Sequence, residues 1–163
     1  MSTDDDLKEA FAGESQANRK YLAFAKKADQ EGYAQAAKLF RAAADAETVH
    51  AHAHLRAMKG VDTTGANLNE AISGETHEFT NMYPAMIKEA EEEGQKEAAM
   101  SFKNADAVER IHAGLYQKAL DNLGSNEEVD YYVCQVCGNT VEGEPPDVCP
   151  ICGSPKKMFT KVD

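Results

Sequence analysis

Apolar residues recur every three or four positions along four stretches of the chain, at about residues 4–30, 33–59, 67–93 and 95–123. This spacing places the apolar side chains along one face of a helix. Glycines follow the first and third stretches, and a turn-rich segment separates the second from the third. Four amphipathic stretches of this length predict a mainly α protein built on a four-helix bundle.

The second pair of stretches repeats the first. The seven residues at 9–15 reappear with three changes at 70–76. An F-x-x-A-x-x-x-E-x-x-H pattern also occurs twice, beginning at Phe40 and, 62 positions later, at Phe102. Two matching motifs are hard to obtain by chance, so we predict internal two-fold pseudosymmetry in the bundle.

Carboxylates occupy central positions on the apolar face of each predicted helix, and these are Glu14, Glu47, Glu75 and Glu109. A buried carboxylate without a partner costs several kcal/mol, so four together require cations. A histidine, His50 or His112, follows the second and the fourth of them by three residues, on the same helix face. One Glu from each of two helices plus Glu-x-x-His from the other two is the ligand set of a di-iron or di-manganese site. The alternative, that these side chains are solvated, is disfavoured because they occur in two copied pairs.

Other residues near these positions are weaker candidates. Glu78 lies one turn after Glu75, and the matching position in the first helix is Ala17, so a ligand is predicted on one side only. Tyr21 and Tyr83 lie on or beside the core faces. Their hydroxyl groups either donate to the carboxylates or belong to ordinary core packing, and the sequence leaves both open.

The composition changes after residue 123. All four cysteines lie between 134 and 152, and four of the five prolines follow residue 144. Cys134, Cys137, Cys149 and Cys152 form a C-x2-C-x11-C-x2-C pattern, which is a strong signal for a four-thiolate metal site. We therefore predict a bundle at 1–123, a linker at 124–130 and a small metal-binding domain at 131–163. The spacing alone favours zinc and iron equally.

The net charge and the apolar content of the chain argue against nucleic acid and membranes as partners. The formal net charge of −11 disfavours binding to nucleic acid or to anionic membranes. No apolar run approaches the ~20 residues that cross a bilayer. The acidic N-terminus lacks the features of an export signal, which predicts a cytoplasmic location.

The segments at 134–138 and 149–153 resemble rubredoxin, and nearly the whole chain is similar to rubrerythrins, in which a ferritin-like bundle precedes a rubredoxin-like domain. The resemblance implies two non-haem irons bound by Glu14, Glu47, His50, Glu75, Glu78, Glu109 and His112. It also implies hydrogen-bonding roles for Tyr21 and Tyr83. For the cysteine site it favours iron over zinc.

The same resemblance implies a peroxidase that reduces hydrogen peroxide to water in oxidative-stress defence. Electrons would come from NAD(P)H through a reductase or rubredoxin and enter at the iron of the four-cysteine site. One iron would move between Glu78 when oxidised and His50 when reduced. The alternatives are a ferroxidase or iron-handling protein and a non-catalytic electron carrier.

Helix lengths suggest a homodimer. The last predicted helix continues well past Glu109, so we expect its tail to lie beyond the end of its own bundle. A head-to-tail dimer would instead place each cysteine site beside the partner's di-iron site. The segment between the second and third helices reaches only about 25 Å, too short to cross a bundle, and an exchange of helix pairs between two chains would relieve this.

Overall fold

The computed structural model describes residues 2–163, and four long helices account for most of them. Helix α1 spans Thr3–Gln30, α2 spans Ala34–Ala57 and α5 spans Lys96–Asp121. The third long helix is continuous but mixed: α3 at Thr64–His77, a π-helical segment at Glu78–Met82 and α4 at Tyr83–Glu92. The mainly α prediction is confirmed, and each helix begins and ends within a few residues of its predicted stretch.

The chain divides into two compact units between Asp62 and Thr63. The first unit is the hairpin of α1 and α2. Ser2 begins α1 with a capping box, in which its hydroxyl accepts from the backbone N–H of Asp5 while the Asp5 carboxylate accepts from the backbone N–H of Ser2. The buried side chains of this hairpin are Asn18 and five alanines, namely Ala25, Ala28, Ala37, Ala44 and Ala51. Small side chains let the two helices pack closely.

The second unit contains the remaining helices and the cysteine-bearing tail. Its helices also pack through small residues, with Ala90, Ala99, Val108 and Ala113 buried. Larger apolar side chains of both units are less covered: Leu39 of the first unit is 69% exposed and Met100 of the second is 60% exposed. Within the described residues 2–163, no helix has the length and apolarity needed to cross a bilayer.

The tail is a small three-stranded antiparallel sheet. Strand β1 spans Tyr131–Cys134, β2 spans Thr140–Glu142 and β3 spans Phe159–Val162, in the spatial order β2-β1-β3. A short 3-10 helix at Lys156–Met158 precedes β3. Its buried core consists of Cys134, Cys149 and Phe159. A core this small buries little apolar surface, so we expect metal ligation to supply the missing stability.

The tail does not lie beyond the end of α5, and that expectation is wrong. The Thr140 hydroxyl of β2 lies 2.9 Å from His112 Nε2, and the Lys118 ammonium donates to Glu142. A Cβ built on Gly138 would lie 3.8 Å from Val108. The length of α5 does not carry the tail outward, because a turn at 122–125 reverses the chain, with Ser125 N–H donating to the Asn122 carbonyl. The predicted domain limits remain a prediction.

Candidate metal centres

The first unit brings one glutamate of α1 together with the glutamate and histidine of α2. His50 Nδ1 lies 2.8 Å from Glu47 Oε2 and 3.9 Å from Glu14 Oε1. One donor atom from each of the three residues falls within 4.8 Å of the others. Two carboxylates and one imidazole at this separation form a binding set for a transition metal.

The second unit repeats this arrangement with nearly the same distances. His112 Nδ1 lies 2.8 Å from Glu109 Oε2 and 3.7 Å from Glu75 Oε1. These side chains are better covered, since the His112 side chain is 27% exposed and that of His50 is 55% exposed. The internal repeat read from the sequence therefore extends to the geometry of the two clusters.

Inside each helix pair, a contact beside the cluster joins the two helices, and the residues that make this contact differ between the pairs. In the first unit, the Asn18 amide donates to the Ala44 carbonyl at 2.7 Å and to the Thr48 hydroxyl at 2.9 Å. At the matching positions in the second unit, the Arg110 guanidinium lies 4.4 Å from the centre of the Phe79 ring. A buried amide bridge in one half thus corresponds to a cation–π contact in the other.

The four cysteine sulfurs form a closed group in the tail. Cys134 Sγ lies 3.7 Å from Cys152 Sγ, and Cys137 Sγ lies 3.6 Å from Cys149 Sγ. These separations are far longer than a disulfide bond and close to the ~3.8 Å edge of a tetrahedron with metal–sulfur bonds of ~2.3 Å. Gly138 and Gly153 adopt φ of +84° and +74°, which lets the chain turn tightly after each cysteine pair.

Comparisons with known proteins agree with this combination of sites. A family model described as rubrerythrin matches residues 5–120, and one for the rubrerythrin rubredoxin-like domain matches 132–160. Nigerythrin of Nitratidesulfovibrio vulgaris is 37% identical over 98% of this chain and 86% of its own length. Rubrerythrin-2 of Clostridium acetobutylicum is 36% identical over 96% of this chain and 95% of its own. The chain belongs to the rubrerythrin family.

Solved structures support the same assignment. A structure of fully reduced, all-ferrous nigerythrin matches with a TM-score of 0.60 at 36% identity, covering 99% of this chain and 87% of that one. Rubrerythrins are oxidoreductases of the peroxidase type that act in oxidative stress and carry a di-iron site and a rubredoxin-like site of four cysteines. The predictions of family, fold class and cofactors are confirmed.

The carboxylates of the second unit are crowded enough to need a cation. Burial and the adjacent Glu109 carboxyl raise the pKa of Glu75 to about 7, although His112 acts in the opposite direction. Burial raises the pKa values of Glu109 and Glu78 as well. Without a metal, Glu75 retains its proton up to about neutral pH, and a divalent ion would replace that proton. The donor set therefore fits the rubrerythrin di-iron centre.

The structure places the remaining candidates around these clusters. Glu78 is the first residue of the π-helical segment, and its carboxyl interacts with that of Glu75. The Tyr83 ring packs against Phe102 with a centroid distance of 6.2 Å, and the Tyr21 ring packs against Phe40 at 6.3 Å. Burial and nearby carboxylates raise the pKa of Tyr83. The functional roles of these three residues stay predictions.

The residues that surround the cysteine sulfurs were not predicted from the sequence. Asn139 is 1% exposed, and its amide donates to Cys149 Sγ at 3.6 Å. The Ser154 hydroxyl lies 3.2 Å from Cys152 Sγ. Burial opposes ionisation of Cys152, but hydrogen bonds from Ser154 and the neighbouring thiols lower its pKa to about 6. The position of Asn139 directly after C-x-x-C-G was the available signal.

Proposed function

We propose that this protein is a peroxidase that reduces hydrogen peroxide to water. Electrons would pass from NAD(P)H through a separate reductase or rubredoxin to the iron of the four-cysteine site and then to the di-iron centre. The observation that carries the proposal is the presence, in one chain, of two matched Glu/Glu/His clusters and a four-thiol site. Nigerythrin, a relative, has been solved in mixed-valence, partially reduced and all-ferrous states, which supports redox cycling in this family.

The ligands divide into shared and separate groups. Glu47 and Glu109 would hold both irons, while Glu14 and Glu75 would hold one each. His50, His112 and Glu78 would complete the set. When bound, the iron pair supplies the two electrons that cleavage of the O–O bond consumes. Reduction of one peroxide also takes up two protons and yields two water molecules.

Hydroxyl groups beside the clusters supply hydrogen bonds to the reactants. The raised pKa of Tyr83 keeps its hydroxyl protonated at neutral pH, so it remains a donor toward peroxide or a carboxylate ligand. We assign the same role to Tyr21. A donor held beside the reacting oxygen orients peroxide and stabilises charge on the departing oxygen.

The test is peroxide-dependent oxidation of NADH by the iron-loaded protein with a supplied reductase and rubredoxin. We expect one NADH to be consumed per peroxide. Glu109→Gln should abolish turnover, whereas Glu97→Gln, at an exposed position of the same helix, should not change it. Cys149→Ser should stop NADH-linked turnover, whereas the chemically pre-reduced variant should still reduce peroxide as long as both ferrous ions remain bound. Peroxide consumption only on addition of ferrous iron, with ferric iron accumulating, would favour the iron-handling alternative.

We also propose a homodimer with exchanged helix pairs as one form. The large exposed apolar side chains of the helices support association of some kind. The head-to-tail arrangement remains a prediction. It was inferred from a long distance between the cysteine site and the clusters of the same chain, and that reason no longer holds because the tail packs on α5 of its own chain.

A further inference from the structure

One side chain connects the rubredoxin-like domain to a proposed iron ligand within the same chain. Thr140 begins β2, and its Oγ1 lies 2.9 Å from His112 Nε2 on α5. The same hydroxyl donates to the Gly138 carbonyl at 3.1 Å. Gly138 directly follows Cys137, so this hydrogen-bond chain runs from the thiol loop to the histidine ring.

Proton counting fixes the direction of each hydrogen bond. A threonine hydroxyl has one proton, and a carbonyl can only accept, so the Thr140 proton is committed to Gly138. Thr140 Oγ1 must therefore accept from His112 Nε2–H. This holds whether the ring is neutral or charged, because Nε2 carries a proton in both cases. The neutral tautomer that results has its lone pair on Nδ1, the atom 2.8 Å from Glu109.

We propose that Thr140 is a positioning residue that holds His112 in the Nε2–H tautomer and aims Nδ1 at the metal. Docking of the rubredoxin-like domain on α5 would thereby strengthen metal binding at the neighbouring cluster. The inference rests on the proposed ligand role of His112. Loss of such an outer hydrogen bond to a ligand histidine typically weakens metal binding by roughly 10- to 100-fold.

The internal repeat supplies a control inside the molecule. His50 occupies the position that matches His112, and its Nδ1 lies at the same 2.8 Å from its own glutamate. Within residues 2–62, no side chain makes a hydrogen bond to His50 Nε2, and the His50 side chain is 55% exposed. Thr140 should therefore affect one of the two metal positions and leave the other unchanged.

The experiment uses the full-length chain and Co²⁺ as the probe. Cobalt in the four-cysteine site is counted separately by its thiolate charge-transfer absorption. We expect Thr140→Val, which keeps the shape and removes the hydroxyl, to weaken one of the two remaining Co²⁺ sites by roughly 10- to 100-fold. Thr140→Ser should restore binding, and Thr160→Val, at an exposed position of β3, should have no effect.

A second readout reports the hydrogen bond directly. Cobalt-shifted proton NMR should show an exchangeable Nε2–H signal from each ligand histidine. In Thr140→Val, one signal should exchange faster with solvent while the other keeps its rate. The proposal would be overturned if Thr140→Val changed the Co²⁺ affinity of both sites by less than about twofold and left the solvent exchange of both Nε2–H protons unchanged.

His112→Ala separates this failure from failure of the proposed function. If His112→Ala weakens one Co²⁺ site while Thr140→Val does not, the ligand assignment stands and the positioning role is wrong. If His112→Ala leaves both sites intact, the ligand assignment itself is wrong and the inference falls with it.

Discussion

Glu78 makes the proposed ligand set asymmetric at the level of a single residue. Its counterpart in the first helix is Ala17, so a carboxylate is available on one side only. We expect Glu78→Ala to slow peroxide turnover by about tenfold or more, because a ligand that binds only one redox state would be lost, while both irons remain bound. Steady-state kinetics and iron analysis measure the two effects.

The control for this change is Glu70→Ala, at an exposed position of α3, which should alter neither quantity. If Glu78→Ala releases an iron, the residue is a permanent ligand. If turnover is unchanged, Glu78 takes no part in the reaction.

The buried Asn18 side chain stabilises the packing of α1 against α2. Its amide is buried and bridges α1 to α2 through Ala44 and Thr48. Asn18→Ala should reduce the free energy of unfolding by roughly 1–3 kcal/mol, because a buried hydrogen-bonding group loses its partner. Urea unfolding measures the effect. Asn69→Ala, at an exposed helix position, should cost about 0.5 kcal/mol or less, and equal losses would contradict the assignment.

The grouping of the two Glu/Glu/His clusters was predictable because it depends only on helical periodicity and local spacing. Glu47 and His50 share a face whatever lies around them. Thr140 was not predictable in the same way, because its contact with His112 spans 28 residues and requires the chain reversal after α5. Residues around a metal become visible only when distant segments are placed together.

At the scale of elements, the π-helical segment absorbs one extra residue. Glu75 follows Glu14 by 61 positions, whereas Tyr83 follows Tyr21 by 62. One residue was therefore inserted between them in the second copy, and the π segment at Glu78–Met82 lies in this interval. The change of offset was present in the sequence, but the apolar pattern already alternates steps of three and four residues, so periodicity alone predicts an unbroken α-helix.

The tail is an element that the metal should stabilise. Its buried core has three residues, two of them cysteines. We expect Cys149→Ser to unfold residues 131–163 while α1 to α5 remain folded, because the tail then loses its metal ligation energy. Amide NMR should show loss of the strand signals with little change in helical circular dichroism. Retention of the β1–β3 signals would contradict this, and Ser154→Ala provides a control that removes no ligand.

At the scale of the molecule, the crowded carboxylates make the metal-free protein sensitive to pH. In the unfolded chain Glu75 has its ordinary pKa of 4.5, and in the folded metal-free chain the pKa is about 7. The folded state therefore binds more protons between these values, and stability falls as pH rises through 7. We expect the free energy of unfolding to be about 1 kcal/mol lower at pH 8 than at pH 6.

Urea unfolding in the presence of a chelator checks this expectation. Glu75→Gln should remove most of the dependence between pH 6 and pH 8, because the amide does not titrate. Loading with Fe²⁺ should also remove it, since the metal takes the place of the protons. A metal-free protein that is more stable at pH 8 would contradict the sign.

The oligomeric state is a further property of the whole molecule. Because large apolar side chains such as Leu39 are exposed on the helices, we expect the iron-loaded protein to sediment at twice the chain mass of 17.7 kDa. Analytical ultracentrifugation measures this mass. A species of 17.7 kDa with full peroxidase activity would contradict the dimer.

The alanine contacts between paired helices have a consequence for which ions can bind. Ala37 and Ala44 of α2 are completely buried, and Ala51 continues the row at the same seven-residue interval. This row fixes the distance between α1 and α2, because an alanine side chain has no alternative rotamers that could change the space it fills. A bulkier residue at Ala44, one turn before Glu47, would open the gap between opposing ligands. We therefore expect residues that never touch the ion to contribute to discrimination between ions of different radius.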